Sequence, residues 1–323
     1  MKRRLVSWGV VLGMVCALIL LVFVAVVERG GEAWRGITWG YGRLRWCTSW
    51  PEFCRTDRAE LKVNFGIYDP QGGFLESRMM AVEHEYLLWD RFQEGDAKRF
   101  LESAGKKNRW LMITVEPWVV KPGEDMLAAV AQGDYDLLVD NICREIGELD
   151  KPVFLRWGQE MERVTGRYPW AVPDGEKYIK AFRYFVNKCR GWVKEGYYVW
   201  SPAGDKGLEN YWPGADVVDY VGLSVYQLPA WDQDNFGKVR SFGEVVGEKY
   251  PRVERYEKPI MVAELGVTGS KKFQRGWMEM ALGEMGNFPL LKTVVYFNAK
   301  DSEGAWEEKY GVPDWHIASE VFD

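Results

Sequence analysis

The chain has 323 residues, a net charge of −5 and 17 tryptophans. The acidic balance and the lack of a Lys/Arg stripe argue against nucleic acid as a partner. With histidine only at 84 and 316, no Cys/His spacing of the zinc type and no phosphate-binding glycine loop, neither a metal nor a cofactor is expected.

At the N-terminus, Lys2, Arg3 and Arg4 precede a charge-free run from Leu5 to Val27. About 20 apolar residues cross a bilayer as a helix, and a cleaved signal has an apolar core of only roughly 7–15. Residues 1–27 are therefore expected to form a single-pass signal anchor in the inner membrane, with the basic end cytoplasmic and the rest periplasmic or extracellular. The alternative is a cleaved signal ending at Ala33. Residues 28–60 read as a Trp/Arg-rich connector without a clear period. Cys16 falls in the apolar run, and Cys47 and Cys54 are close enough in sequence to pair in an oxidising compartment. Cys143 and Cys189 lie on amphipathic helical patterns and are expected to be buried thiols.

From residue 61 to 323 short apolar runs alternate with longer helical patterns. Strands are predicted at Lys62–Tyr68, Tyr86–Trp89, Trp110–Val115, Val153–Arg156, Tyr197–Trp200, Tyr220–Ser224, Pro259–Ala263 and Thr293–Phe297. Helices are predicted at Asp96–Lys107, Tyr135–Leu149, Gly175–Glu195, Phe242–Tyr250 and Lys271–Gly283. Strands alternating with helices indicate an α/β fold, a (β/α)₈ TIM barrel.

Two of these strands matter most. Lys151-Pro-Val-Phe-Leu-Arg-Trp-Gly-Gln-Glu160 and Lys258-Pro-Ile-Met-Val-Ala-Glu264 each open with Lys-Pro, continue through mostly apolar residues and end on a carboxylate. A charge is costly to bury unpaired, and the C-terminal ends of barrel strands are where active sites are built. A pair of carboxylates there suggests glycoside hydrolysis, which needs an acid and a nucleophile or base. Parity puts Glu264 on one face with Val262 and Ile260, and Arg156 on one face with Glu160. Arg156 would orient a buried glutamate and keep it ionised, or form a structural ion pair inside the barrel. The other strand ends carry polar or aromatic groups suited to a sugar, among them Trp89, Trp118 and Trp200. Asn298, after the last strand, reads as an ordinary loop or capping residue.

The run Arg156-Trp-Gly-Gln-Glu-Met-Glu162, with Gly166-Arg-Tyr-Pro-Trp170, resembles the acid/base segment of glycoside hydrolase family 26. Val221-Gly-Leu-Ser-Val-Tyr226 resembles that family's sixth strand, and Lys258-Pro-Ile-Met-Val-Ala-Glu-Leu-Gly266 its nucleophile segment. Phe65-Gly-Ile-Tyr-Asp-Pro70 and Thr114-Val-Glu-Pro-Trp118 resemble further blocks. The resemblance implies a retaining (β/α)₈ glycosidase with Glu160 as acid/base, Glu264 as nucleophile and Tyr226 hydrogen-bonded to Glu264. It departs at Gln159, where the family usually has His; Gln still donates a hydrogen bond to a sugar but carries no charge. Trp118, Trp89 and Trp200 are candidates for sugar stacking, with Trp170 and Trp306 further out.

The resulting expectation is a membrane-anchored endo-β-glycanase acting on β-mannan, β-1,3-xylan, mixed-linkage β-glucan or a related exopolysaccharide. Its anchor would suit work beside a polysaccharide synthase or secretion complex. The alternative is a non-hydrolytic glycan-binding accessory protein of such a system, favoured by Gln159.

Overall fold

The computed structural model describes residues 63–106, 108–118, 123–149 and 151–322. The expected anchor, the connector and the Cys47–Cys54 pair lie outside the described residues. No helix among the described residues is long and apolar enough to cross a membrane.

Eight strands close into one parallel ring in sequence order. They are β1 (Asn64–Tyr68), β2 (Met80–Leu88), β3 (Trp110–Glu116), β4 (Val153–Trp157), β5 (Gly196–Trp200), β6 (Tyr220–Gln227), β7 (Ile260–Val267) and β8 (Leu291–Phe297). All eight predicted strands are present. The helices are α1 (Asp96–Lys106), α2 (Met126–Gln132), α3 (Asp136–Gly147), α4 (Gly175–Arg190), α5 (Pro229–Phe236), α6 (Phe242–Glu254) and α7 (Lys271–Glu284). Two of them, α2 and α5, were not expected from the sequence. Among the described residues, no α-helix joins β1 to β2 or β5 to β6.

The β1–β2 connection is pinned by side chains instead. Asp69 accepts from the Phe74 N–H at 2.7 Å, and Arg109 donates to the Phe74 and Ser77 carbonyls while pairing with Glu83 at 2.6 Å. Strand β2 starts six residues before its predicted start, because Glu83, His84 and Glu85 break the apolar run that marks a strand. Glu83 and His84 are nevertheless buried, with partners in β3 and beside it. Helix α6 runs through Pro251 rather than stopping at Tyr250; Ser241 and Glu244 form a capping box at its start.

Aromatic side chains fill the N-terminal end of the barrel on β3 to β6. Trp110, Phe154, Tyr197 and Tyr220 pack in succession, with ring centroids 5.6, 5.7 and 6.2 Å apart. The outer faces of the strands meet the helices in a continuous apolar layer that includes Ile260, Val262, Val245, Phe182 and Trp157. Within that layer Cys143 of α3 and Cys189 of α4 are joined by a disulfide. They are buried as expected but are not thiols: two apolar helix faces that pack together bring the side chains into bonding range, which helical periodicity alone does not reveal.

β1 and β8 are sewn together by Asn298, which is no simple capping residue. Its amide donates to Asp69 at 2.9 Å, its carbonyl oxygen accepts from the Ile317 N–H, and its backbone N–H donates to the Tyr68 carbonyl.

Candidate active site

Glu160 follows the C-terminal end of β4, and Glu264 lies in the C-terminal half of β7. The routes by which they reach the mouth differ. Beyond β4 the backbone turns through two left-handed residues, Gly158 at φ 55° and Glu160 at φ 54°. Glycine adopts that region freely, whereas for glutamate it is uncommon and held by its surroundings. The Glu160 N–H donates to the Ser201 carbonyl at the end of β5 at 2.8 Å, and its carbonyl accepts from the Arg163 N–H at 3.0 Å. The side chain is buried, and Oε1 has no hydrogen-bond partner among the described residues. The Arg163 guanidinium stands 3.5 Å from Oε1 but gives its closer contact, 2.7 Å, to Asp205.

Glu264 reaches the mouth through an irregularity in β7. Leu223 pairs with Val262 while Ser224 pairs with Glu264, so Ala263 is an extra residue. Val262 and Ile260 face the helix layer, and Ala263 lies near Gly222 and Ser201 inside the barrel. The parity expectation therefore fails: Glu264 does not share a face with Val262, because the bulge re-aims it.

The two carboxylates have opposite environments. Arg156 lies 2.6 Å from Glu264 Oε1, which also accepts from Tyr86 at 2.9 Å, and Oε2 accepts from Tyr226 at 2.5 Å. Burial by itself would raise the Glu264 carboxyl. The Arg156 charge and the Tyr226 hydrogen bond outweigh it and hold the carboxyl down to about 2. Arg156 shares parity with Glu160 in the strand but gives its ion pair to Glu264. Tyr226 rests on Gly266, where an added Cβ would come within 2.6 Å of the ring.

Gln159 is buried and gives its amide to a third glutamate. Its amide donates to Glu116 at the end of β3, and its backbone carbonyl accepts from Trp170 at 2.7 Å. Glu116 also accepts from Trp118 at 2.8 Å. Desolvation raises the Glu116 carboxyl above its usual range, against the hydrogen bonds from Trp118 and Gln159.

The tryptophans separate into two groups. Trp118 and Trp306 are half-buried at the mouth, with Trp306 donating to Asp301. Trp89, Trp170 and Trp200 are buried, and their expected stacking role is corrected. Trp89 packs between Tyr135 and Trp157, Trp200 against Trp212 and Tyr256, and Trp170 against Tyr168 and Trp118. None offers a ring face for a sugar. Sequence reasoning missed Tyr86, Glu116 and Arg163 as members of the site. Tyr86 was hidden at the start of a strand predicted too short, and Arg163 sits one turn beyond Glu160.

No family model matches the chain. Among curated proteins it is 29% identical over 207 residues to a β-1,3-xylanase of a Vibrio species, covering 58% of this chain and 44% of that protein. A β-1,3-xylanase of an Alcaligenes species is 30% identical over 207 residues, covering 58% and 43%. The chain thus spans less than half the length of the curated relatives it matches. Among solved structures, a GH26 β-mannanase from Bacteroides ovatus superposes with a TM-score of 0.55 at 17% identity, over 74% of this chain and 81% of that one. The chain resembles glycoside hydrolase family 26. At that level of identity the structural likeness is one of fold, and the resemblance first read from short motifs extends over most of the barrel.

Proposed function

We propose that this barrel is a retaining endo-β-glycanase in which Glu264 is the nucleophile and Glu160 the acid/base. The observation that carries this reading is the contrast between the carboxylates. Glu264 is ionised, aimed and saturated with partners; Glu160 keeps an oxygen with no hydrogen-bond partner among the described residues, only the Arg163 charge 3.5 Å away. Pairs of carboxylates in unlike environments divide acid and nucleophile roles in this way.

In the first step Glu160 donates its proton to the glycosidic oxygen as Glu264 attacks the anomeric carbon. The aglycone leaves, and a covalent glycosyl-enzyme of inverted configuration forms. Glu160, now ionised, takes a proton from water, the water attacks the same carbon, and Glu264 departs; two inversions give retention. Arg156, Tyr86 and Tyr226 hold the attacking carboxylate in line, and Trp118 and Trp306 offer ring faces to the glycan.

The named relatives make a β-1,3-xylan the first substrate to try, followed by β-mannan, mixed-linkage β-glucan and exopolysaccharides. The Cys143–Cys189 disulfide supports an oxidising compartment, and the charge-free run at residues 5–27 supports a membrane tether facing it. A second reading is a glycan-binding accessory barrel without hydrolysis. It is favoured by Gln159, whose amide donor is given to Glu116 rather than left for a sugar. A reducing-sugar assay over these polysaccharides separates the two: retained-configuration products by NMR support hydrolysis, and binding without any product sinks it.

A further inference from the structure

Two residues outside the proposed chemistry meet above it. Arg167 belongs to the loop between β4 and α4, and Asp301 to the segment after β8. In a closed ring of eight strands, β4 and β8 stand on opposite sides. Their loops nevertheless touch: Arg167 Nη2 lies 3.3 Å from Asp301 Oδ1 and donates to Ser302 Oγ at 3.3 Å. Both segments follow C-terminal strand ends, so the contact crosses the mouth in which the two glutamates sit.

Each end of this contact is built in. On the β4 side the guanidinium lies over the Tyr168 ring at 4.9 Å. Tyr168 stacks on Trp170 at 4.6 Å and packs against Trp118 at 5.9 Å. On the β8 side Asp301 Oδ2 accepts from Trp306 at 2.9 Å and from Trp315 at 3.2 Å. Trp315 packs on Tyr226 at 4.8 Å, and Tyr226 holds Glu264. The ion pair thus joins two groups of aromatic side chains, one on the β3–β4 side and one on the β6–β8 side. The Arg167 side chain is 30% exposed and that of Asp301 7%, so water reaches the joint from the arginine side.

A glycan attacked in its interior presents no free end to thread and must enter a cleft sideways. We propose that Arg167 and Asp301 form a clasp across the active-site mouth that a polysaccharide must open, so that Arg167 sets the preference between polymeric and short substrates. This rests on the reading of the site as a glycosidase cleft. Arg167 touches neither glutamate and is a specificity residue, not a catalytic one. Asp301 is the anchored half, because it also fixes two tryptophans. Arg167 is the half that swings.

The test compares kcat/KM on polymer with kcat/KM on a short aryl β-glycoside of the same sugar, in wild type, Arg167→Ala and Arg167→Lys. In R167A the polymer-to-short ratio should rise by about two- to fivefold, the size expected for opening one partly exposed ion pair, and the change should fall on KM. R167K should lie nearer wild type. Raising the salt concentration should lift the wild-type ratio and leave the R167A ratio flat, because only the former has a charge pair to screen. An unchanged or lowered ratio in folded R167A, checked by its melting curve, overturns the clasp. If the wild type cleaves no glycan at all, the hydrolase reading fails. The clasp is then read from polymer binding by intrinsic Trp fluorescence, where R167A must bind the polymer more tightly than wild type or the idea is wrong.

Discussion

The Arg156 guanidinium lies 2.6 Å from Glu264 Oε1, with the arginine side chain fully buried and the glutamate side chain 9% exposed. A buried pair of this kind is costly to break from one side, because the remaining charge is stranded. It also holds Glu264 ionised.

Removing the cation should therefore show in two measurements. Arg156→Gln should lower unfolding free energy by about 3–5 kcal/mol in urea titrations. The folded-state carboxyl is depressed to about 2 from an ordinary 4.5. The pair thus contributes stability that is full above the ordinary value and lost as pH falls toward the depressed one. The acid limb of kcat/KM assigned to Glu264 should move upward in the variant; a limb that stays put would detach Arg156 from Glu264.

His84 is also held below its ordinary value, but by disfavouring its charged form. Desolvation, with the neighbouring Arg156, pushes it down from 6.5 to about 3, against the pull of Glu264, and Thr114 Oγ1 sits 2.7 Å from its Nε2. The unfolded chain binds a proton that the folded one refuses, so this residue costs stability as pH drops from 6.5 toward 3. His84→Gln should flatten the loss of melting temperature over that window. An unchanged slope would mean that the acid sensitivity arises elsewhere.

Role assignment at the glutamates is separable by chemistry. Glu264→Ala should abolish turnover on every substrate, since no glycosyl-enzyme forms. Glu160→Ala should lose about 10²–10⁴-fold on natural glycans, whose leaving groups need a proton. On an activated aryl glycoside, added azide should restore E160A turnover and give a glycosyl azide of retained configuration. Equal loss in both variants without rescue would overturn the assignment.

Tyr226 and Gly266 act as a unit. Tyr226→Phe removes a hydrogen bond to a charge, worth about 1.5–3 kcal/mol and so about ten- to a hundredfold in kcat. Gly266→Ala would place a methyl within 2.6 Å of the Tyr226 ring and should lower kcat at least as much, without touching substrate. If G266A keeps wild-type kcat, the ring is not what aims Glu264.

Much of this molecule is readable in the sequence, and the gaps have physical causes. Strands with apolar runs were placed to within a few residues, but β2 was shortened because Glu83 and His84 find partners only in the folded ring. The glutamates stand out because nothing in packing explains a carboxylate after an apolar strand. The fate of the tryptophans does not, since Trp118 and Trp200 both lie at the end of an apolar run close to a proline, yet one is half-buried and the other fully buried. The bulge at Ala263 inverts a face without leaving a signature, and Cys143 meets Cys189 only through helix packing.

That disulfide links positions 46 apart in sequence. On loop-closure grounds it should contribute about 4 kcal/mol. Reduction should lower the melting temperature, and alkylation of the non-reduced, unfolded protein should leave both residues unmodified. Labelling of either would show that the pair is open.

The backbone at Glu160 has one more consequence. Its left-handed turn is held by main-chain bonds to Ser201 and Arg163, while carboxylate Oε1 makes no hydrogen bond among the described residues. Position 160 therefore behaves as a socket whose occupant can be exchanged. Glu160→Gln should fold around an unmoved loop and hold an intact glycan long enough to be imaged, turning the protein into a capture reagent for its own ligand.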